Sequence, residues 1–245
     1  MKYGKLFLSF LIMVIFIGCS NTPKIVREEY TYEKMFFGTH RFTFDIHLEN
    51  IGNSGKVYDL INNLIYYNKN FDEYIKYIEN KFVGNINEDY YPPMIDEDGT
   101  EYFYHSDLIE KYSIIFNNNT HVIFKYNSYF YYSGAAHGNY LVEYFIIDLI
   151  EERILDINDL LNPISDNLLK GIIESNYNIN YYLRDNIWPS DTINFCNENI
   201  ELIWNIYTIT PYSDGIIIIE IQDEVIDQYL TNKGKILRKI IANEK

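Results

Sequence analysis

Cysteine is nearly absent: Cys19 and Cys196 are the only two in 245 residues. A disulfide framework cannot hold such a chain together, and no paired Cys-x-x-Cys hooks are available for zinc. Basic residues are also scarce, 20 Lys and Arg against 35 Asp and Glu, for a formal net charge of −15. A surface of that sign repels phosphate, which excludes nucleic acid as a partner and argues against electrostatic docking on anionic lipid. The sequence contains no His-Glu-x-x-His, no P-loop and no Gly-x-Ser-x-Gly, the patterns that mark zinc hydrolases, nucleotide loops and serine hydrolases. Ser133, beside Gly134, lacks the strand-to-helix elbow that exposes a nucleophile. The five histidines are scattered. His40 and His47 lie seven apart on an expected strand, so they point to opposite faces and cannot share a metal. No catalytic residue, metal site or cofactor is expected.

What the chain does have begins at its N-terminus. Lys2 and Lys5 precede an apolar run from Leu6 to Ile17, followed by Gly18, Cys19 and the polar Ser20, Asn21 and Thr22. The run has the length of a secretion signal and is too short for a bilayer-spanning helix, which needs roughly 20 apolar residues. A small residue directly before a cysteine resembles a bacterial lipobox, in which the cysteine is lipidated and becomes the first residue. The expectation is an exported lipoprotein anchored to a cell-envelope membrane. Residues 1–18 would be the signal peptide, Cys19 the lipidation site and residues 19–30 the lipidated N-terminus and tether. Removing Lys2 and Lys5 leaves 18 basic against 35 acidic residues, a formal charge of −17. Cys196 would then be the one thiol, read as a small buried hydrophobe.

Periodicity supplies the elements. Phe42, Phe44, Ile46 and Leu48 alternate with polar residues, the pattern of a half-buried strand. Val57, Leu60, Ile61, Leu64 and Ile65 recur at helical spacing, and a second helix starts with Asn70 as N-cap and Asp72 and Glu73 in its first turn. The acidic stretch Gly84 to Thr100, with Pro92, Pro93 and Gly99, reads as an exposed excursion. Strands are expected at Ile109–Phe116, Thr120–Tyr132 and Asn139–Leu149, the first two joined by an Asn117-Asn118-Asn119 turn. A helical turn at Asp156–Leu161, a helix from Ser165, strands at Ile200–Tyr207 and Gly215–Gln222, and a short helix at Glu224–Leu230 follow. Residues 231–245 form a basic C-terminal segment, with Lys233, Lys235, Arg238 and Lys239, expected to be solvated. The class is α+β, antiparallel sheets packed with helices.

The densest cluster is Tyr129-Phe-Tyr-Tyr-Ser-Gly-Ala-Ala-His-Gly-Asn-Tyr140. It can be an aromatic platform with one polar contact, His137, since tyrosine brings rigid apolar area and a hydrogen-bonding tip. Equally, it can be a hairpin whose small residues serve packing, with His137 hydrogen-bonded to backbone.

Tyr132-Ser-Gly-Ala-Ala-His-Gly138 resembles the Tyr-x-Gly-Gly-Ala-His-Gly turn of the RsiV/PdaC-like domain of unknown function. Ile147-Asp148-Leu149 followed by Asp159-Leu160-Leu161, and Ile209-Thr-Pro-Tyr-Ser-Asp-Gly215, are similar to further stretches of that family. The resemblance implies an extracytoplasmic α+β module in two consecutive regions, residues 31–146 and 147–230. In RsiV-type proteins the module senses lysozyme by binding it; in PdaC-type proteins it accompanies a peptidoglycan deacetylase domain. The expectation here is the bare module, tethered to the membrane by its lipid. Its partner would be a cationic lysozyme-like protein or peptidoglycan. The residues expected to bind are Tyr129, Tyr131, Tyr132, His137, Tyr140, Tyr212 and Asp214. A structural envelope lipoprotein and an enzyme acting on wall glycan remain the alternatives.

Overall fold

The computed structural model describes residues 24–243 except 37–39, 52–55, 68, 84–93, 96, 103, 134, 178–182, 184 and 197–198. The expected signal peptide, the Cys19 lipidation site and most of the acidic excursion lie outside the described residues. In chain order come β1 (Ile25–Phe36), β2 (His40–Ile51), α1 (Lys56–Ile65), α2 (Phe71–Val83), β3 (Met94–Ile95) and β4 (Glu101–Tyr102). Next are β5 (Tyr104–Asn117), β6 (His121–Tyr131), β7 (Asn139–Asp148), β8 (Arg153–Leu155), α3 (Ile157–Leu160) and α4 (Asp166–Tyr177). The chain closes with β9 (Thr192–Phe195), β10 (Asn199–Trp204), β11 (Ile217–Gln222), α5 (Asp223–Ile226) and α6 (Asn232–Asn243). The class is α+β. A six-stranded sheet runs β1-β2-β5-β6-β7-β8, and a three-stranded sheet runs β11-β10-β9. The pairs β1–β2, β7–β8, β9–β10 and β10–β11 are antiparallel, whereas β2 and β5 lie parallel. That pair is joined by the crossover through α1 and α2, since a parallel connection cannot be a tight turn.

Two compact units divide the chain: Met1–Tyr112 with Ser128–Asn139, and Ser113–Asn127 with Tyr140–Lys245. They interleave, so no single cut separates them, and β5 and β6 contribute residues to both. In the first unit the alternation of β2 holds: Phe42, Phe44, Ile46 and Leu48 are buried while Arg41 and His47 face solvent. Phe44 meets the fully buried Tyr74 of α2 at 6.1 Å between ring centroids. Each such side chain removed from water contributes roughly 1.5–3 kcal/mol. Residues 25–30, expected as tether, are instead the start of β1. Val26, Glu28, Tyr30 and Tyr32 are half-buried, and Arg27, Glu29 and Glu33 point out. Outward charge on an edge strand discourages pairing with another chain. Here it also pairs across the ladder, Arg27 with Glu49 at 2.7 Å and Glu29 with His47 at 3.5 Å.

The second unit puts the other core on one face of β9-β10-β11. Ile193, Phe195, Ile200, Leu202, Trp204 and Ile219 are buried there with Leu160 of α3, Leu169 and Ile173 of α4, and Leu237 of α6. The buried indole of Trp204 is satisfied by donating to the Ile187 carbonyl at 2.9 Å. Before α3, Asp156 and Asp159 form a reciprocal capping box, and Arg153 grips both oxygens of Asp159 at 2.6 and 2.7 Å.

The solvated end expected for residues 231–245 is corrected: Asn232–Asn243 is a helix with Gly234, Leu237, Arg238 and Ile241 buried. Its lysines lie on the outer side of an apolar stripe spaced three and four residues apart, which the basic composition masked.

Candidate functional site

The turn that follows β6 is built in the first unit. Ser133 donates its backbone N–H to Ser106 Oγ at 3.1 Å, and Ser106 Oγ lies 3.0 Å from His40 Nε2. His40 and Ser106 are both buried, so β2 and β5 together hold the first residue of the turn. Burial shifts His40 below the ordinary imidazole range, and nearby His105 adds to this, so the ring stays neutral. Ala135 N–H closes the turn on the Tyr132 carbonyl at 2.9 Å. His137 Nδ1 lies 3.2 Å from the Gly138 carbonyl oxygen, the backbone contact of the packing alternative.

Tyr129 covers Gly138 so tightly that a Cβ there would fall 2.2 Å from its ring. Tyr132 packs edge-on to Phe130, with centroids 5.5 Å apart, and burial raises its hydroxyl pKa. Tyr131 is half-buried at the end of β6. Four of the expected binding residues, Tyr129, Tyr131, Tyr132 and His137, therefore belong to this unit.

Tyr140, Tyr212 and Asp214 belong to the second unit. Tyr140 is 51% exposed on β7. Tyr212 and Asp214 share a 3-10 turn, Tyr212–Asp214, that ends at Gly215 with φ 75°, a backbone conformation glycine adopts without steric cost. The structure adds a residue the sequence did not single out. Tyr207, 46% exposed, has φ 67°, and its ring lies 5.6 Å from that of Tyr212. Bulky residues rarely adopt this conformation, and those that do cluster at functional sites.

Asp191 braces the segment that carries Tyr207. Its Oδ2 accepts from the backbone N–H of Asn205 at 2.6 Å and from Thr208 Oγ1 at 2.7 Å. Asn205 in turn binds β7, accepting from Val142 N–H at 2.7 Å and donating to Val142 O at 3.0 Å. The ring pair thus stands on a fixed support with the exposed carboxylate of Asp214 in the same turn. Nothing local in the sequence marks a left-handed tyrosine. The Asn205 backbone N–H and the Thr208 hydroxyl that hold it meet Asp191 only through the fold.

The face of β9-β10-β11 opposite the core carries a pair of glutamates. Glu201 and Glu220 are direct cross-strand partners, an arrangement of like charge that costs a few tenths to ~1 kcal/mol. Asn194 donates to Glu201 at 2.7 Å and Asn199 to Glu220 at 2.8 Å, which offsets part of that repulsion. Burial, followed by these two glutamates, pushes the Cys196 thiol up to about 11. Cys196 is therefore protonated at neutral pH and a poor nucleophile.

No family model and no curated protein matches the sequence. Solved structures do match the fold. One is a member of the DUF3298 family from Bacteroides fragilis NCTC 9343, at TM-score 0.67 and 18% identity, covering 91% of this chain and 98% of that one. Another is a DUF3298 family protein from Pseudomonas aeruginosa PAO1, at TM-score 0.59 and 13% identity, covering 86% of this chain and 95% of that one. At these identities the likeness is one of fold.

Proposed function

We propose that this protein is a binding module of the bacterial cell envelope, tethered by lipid at Cys19, that recognises a cationic protein of the lysozyme kind. The observation that carries the reading is the Tyr207–Tyr212 pair, held by a braced segment with Asp214 in the adjoining turn. A lysine or arginine of a partner is attracted to the face of a tyrosine ring and to a neighbouring carboxylate. Tyrosine anchors on rigid supports are also the residue type that concentrates binding energy. The formal charge of −15 acts in the same direction, by steering a cationic partner toward the surface. The resemblance of the Tyr132–Gly138 and Ile209–Gly215 stretches to the RsiV/PdaC-like module supports the choice of lysozyme as first partner. The similarity to DUF3298 folds is consistent with it. The apolar run before Cys19 supports export and lipid attachment.

The test is retention of the purified protein by immobilised lysozyme at low and at physiological salt. Retention that weakens with salt supports the proposal. Absence of retention at low salt, where charge attraction is strongest, counts against it.

A further inference from the structure

β1 closes one end of the six-stranded sheet. It pairs with β2 from Ile25 to Phe36 and with no second strand among the described residues. Its far side therefore presents main-chain N–H and C=O groups that a further strand can take. The charges that discourage pairing there do not exclude every partner. Which pairings they exclude depends on the register.

A second copy of the chain can extend the sheet through an antiparallel β1–β1 pair, related by a twofold axis normal to the sheet. Such an axis sets residues of like parity opposite each other, with their side chains on the same face. Six registers are centred from Glu28 to Glu33. Centring on Glu28, Glu29 or Glu33 opposes a glutamate to itself, and centring on Thr31 opposes Glu29 to Glu33 twice. Like charges directly opposite destabilise a strand pair. Centring on Tyr32 brings no opposite charges together. Centring on Tyr30 opposes Arg27 to Glu33 twice, and also sets Glu29 against Thr31, Glu28 against Tyr32 and the exposed Ile25 against the exposed Met35. No like charges face each other in that register.

Neighbouring side chains favour the same register. Arg27 already meets Glu49 at 2.7 Å, and Glu33 meets Arg41 at 3.5 Å. Arg27 and Glu33 nevertheless keep 60% and 59% of their side-chain surface exposed, which leaves each room for a second partner. Across the axis they complete a row Glu49–Arg27–Glu33–Arg41 whose charges alternate in sign, its last two residues coming from the other copy. At the centre the Tyr30 ring rests against Phe71, with centroids 4.3 Å apart. Two braced rings then face each other on the axis, and aromatic pairs directly opposite stabilise antiparallel strands.

We infer that the outer edge of β1 is a homodimer interface, where two copies of this chain join through antiparallel β1 strands centred on Tyr30 into one continuous sheet. Each copy uses its β1 edge in the contact, so the assembly closes at two. The inference is independent of the lysozyme proposal, whose residues belong to the second unit.

The experiment measures self-association of the purified protein by sedimentation equilibrium over a range of concentrations. It is repeated for Arg27→Glu, for Glu33→Arg and for an equimolar mixture of the two. Both positions are exposed, so each variant should melt within a few degrees of the parent. The parent is expected to show a monomer–dimer equilibrium. Either variant alone sets like charges opposite each other on both sides of the axis and should dimerise roughly tenfold or more weakly. The mixture restores both opposite-charge pairs in a heterodimer and should associate roughly tenfold more tightly than either variant by itself. A variant that merely misfolds cannot produce that rescue. A parent that stays monomeric at the highest concentration, or that assembles beyond two, overturns the inference. So does unchanged dimerisation in the single variants, or a mixture that associates no more tightly than its components.

Discussion

Tyr129 and Gly138 are in such close contact that the smallest side chain at 138 would overlap the tyrosine ring, at 2.2 Å from Cε2 and 2.7 Å from its hydroxyl oxygen. Among the described residues this explains why glycine stands at the end of the Tyr132–Gly138 turn: the ring needs the space a Cβ would fill. Gly138→Ala is expected to destabilise by ~1–3 kcal/mol through overpacking. The double variant Tyr129→Ala with Gly138→Ala should lose less than the sum of the two single changes. Urea unfolding of the four proteins checks it, and strict additivity would show that the contact does not constrain the turn.

A tighter case is Gly234, at the start of α6. A Cβ there would lie 2.2 Å from the Leu160 carbonyl oxygen, and a backbone carbonyl cannot swing aside as a ring can. Gly234→Ala should therefore displace α6 from α3 and cost ~3 kcal/mol. Faster amide exchange in residues 232–243 would be the local signature of that displacement. Unchanged exchange would mean that α6 docks less closely than its buried Leu237 and Ile241 indicate.

Acid stability should depend on Asp159. Its hydrogen bonds from Arg153 hold the carboxyl down to about 2. A carboxyl with a depressed folded-state pKa stabilises the fold above its ordinary value of roughly 3.9, and that contribution disappears as pH falls through the folded value. Between about pH 4 and pH 2 the parent should lose this contribution. Asp159→Asn, already lacking it, should be less stable at pH 7 by about 1 kcal/mol from the lost ion pair with the part-exposed Arg153 and show a shallower acid decline. Melting curves from pH 2 to 7 compare the two.

The thiol behaves in the opposite sense. Cys196, pushed up to about 11, keeps its proton in the folded state where an unfolded thiol, near 8.5, would lose it. Its contribution is present below the unfolded value and is lost as pH rises toward 11. At pH 8 iodoacetamide should label the folded protein much more slowly than the urea-unfolded chain. Glu201→Gln, which removes one of the two charges responsible, should speed folded-state labelling near pH 9 several-fold. Equal rates for parent and variant would show that Glu201 adds nothing to the effect of burial.

Most elements were legible because their periods are local. The alternation of Phe42 to Leu48, the Asn117–Asn119 turn and the apolar spacing of α1 and α2 each state an element within a dozen residues. The parallel pairing of β2 with β5 was not legible. It joins strands separated by a crossover of some fifty residues, which no local period reports. The start of β1 was hidden because an edge strand facing solvent carries charge instead of an apolar stripe, and α6 because its lysines and Arg238 mask the stripe of Gly234, Leu237 and Ile241. At the candidate site, Tyr212 and Asp214 are singled out by a resemblance in a short stretch. Tyr207 was missed because its φ is set by Asp191, some sixteen residues upstream. The close packing of Tyr129 over Gly138 is likewise absent from any local pattern.

The central claim concerns the Tyr207–Tyr212 pair and is tested most directly by titrating lysozyme into the parent protein and into Tyr207→Gly. Glycine suits φ 67° at least as well as tyrosine, so the variant should keep its melting temperature within a few degrees. The account predicts that the parent binds with micromolar or tighter affinity at low salt, more weakly at physiological salt, and that Tyr207→Gly binds at least tenfold more weakly at both. A parent that does not bind lysozyme at low salt, or a variant that binds it as tightly as the parent, would contradict it.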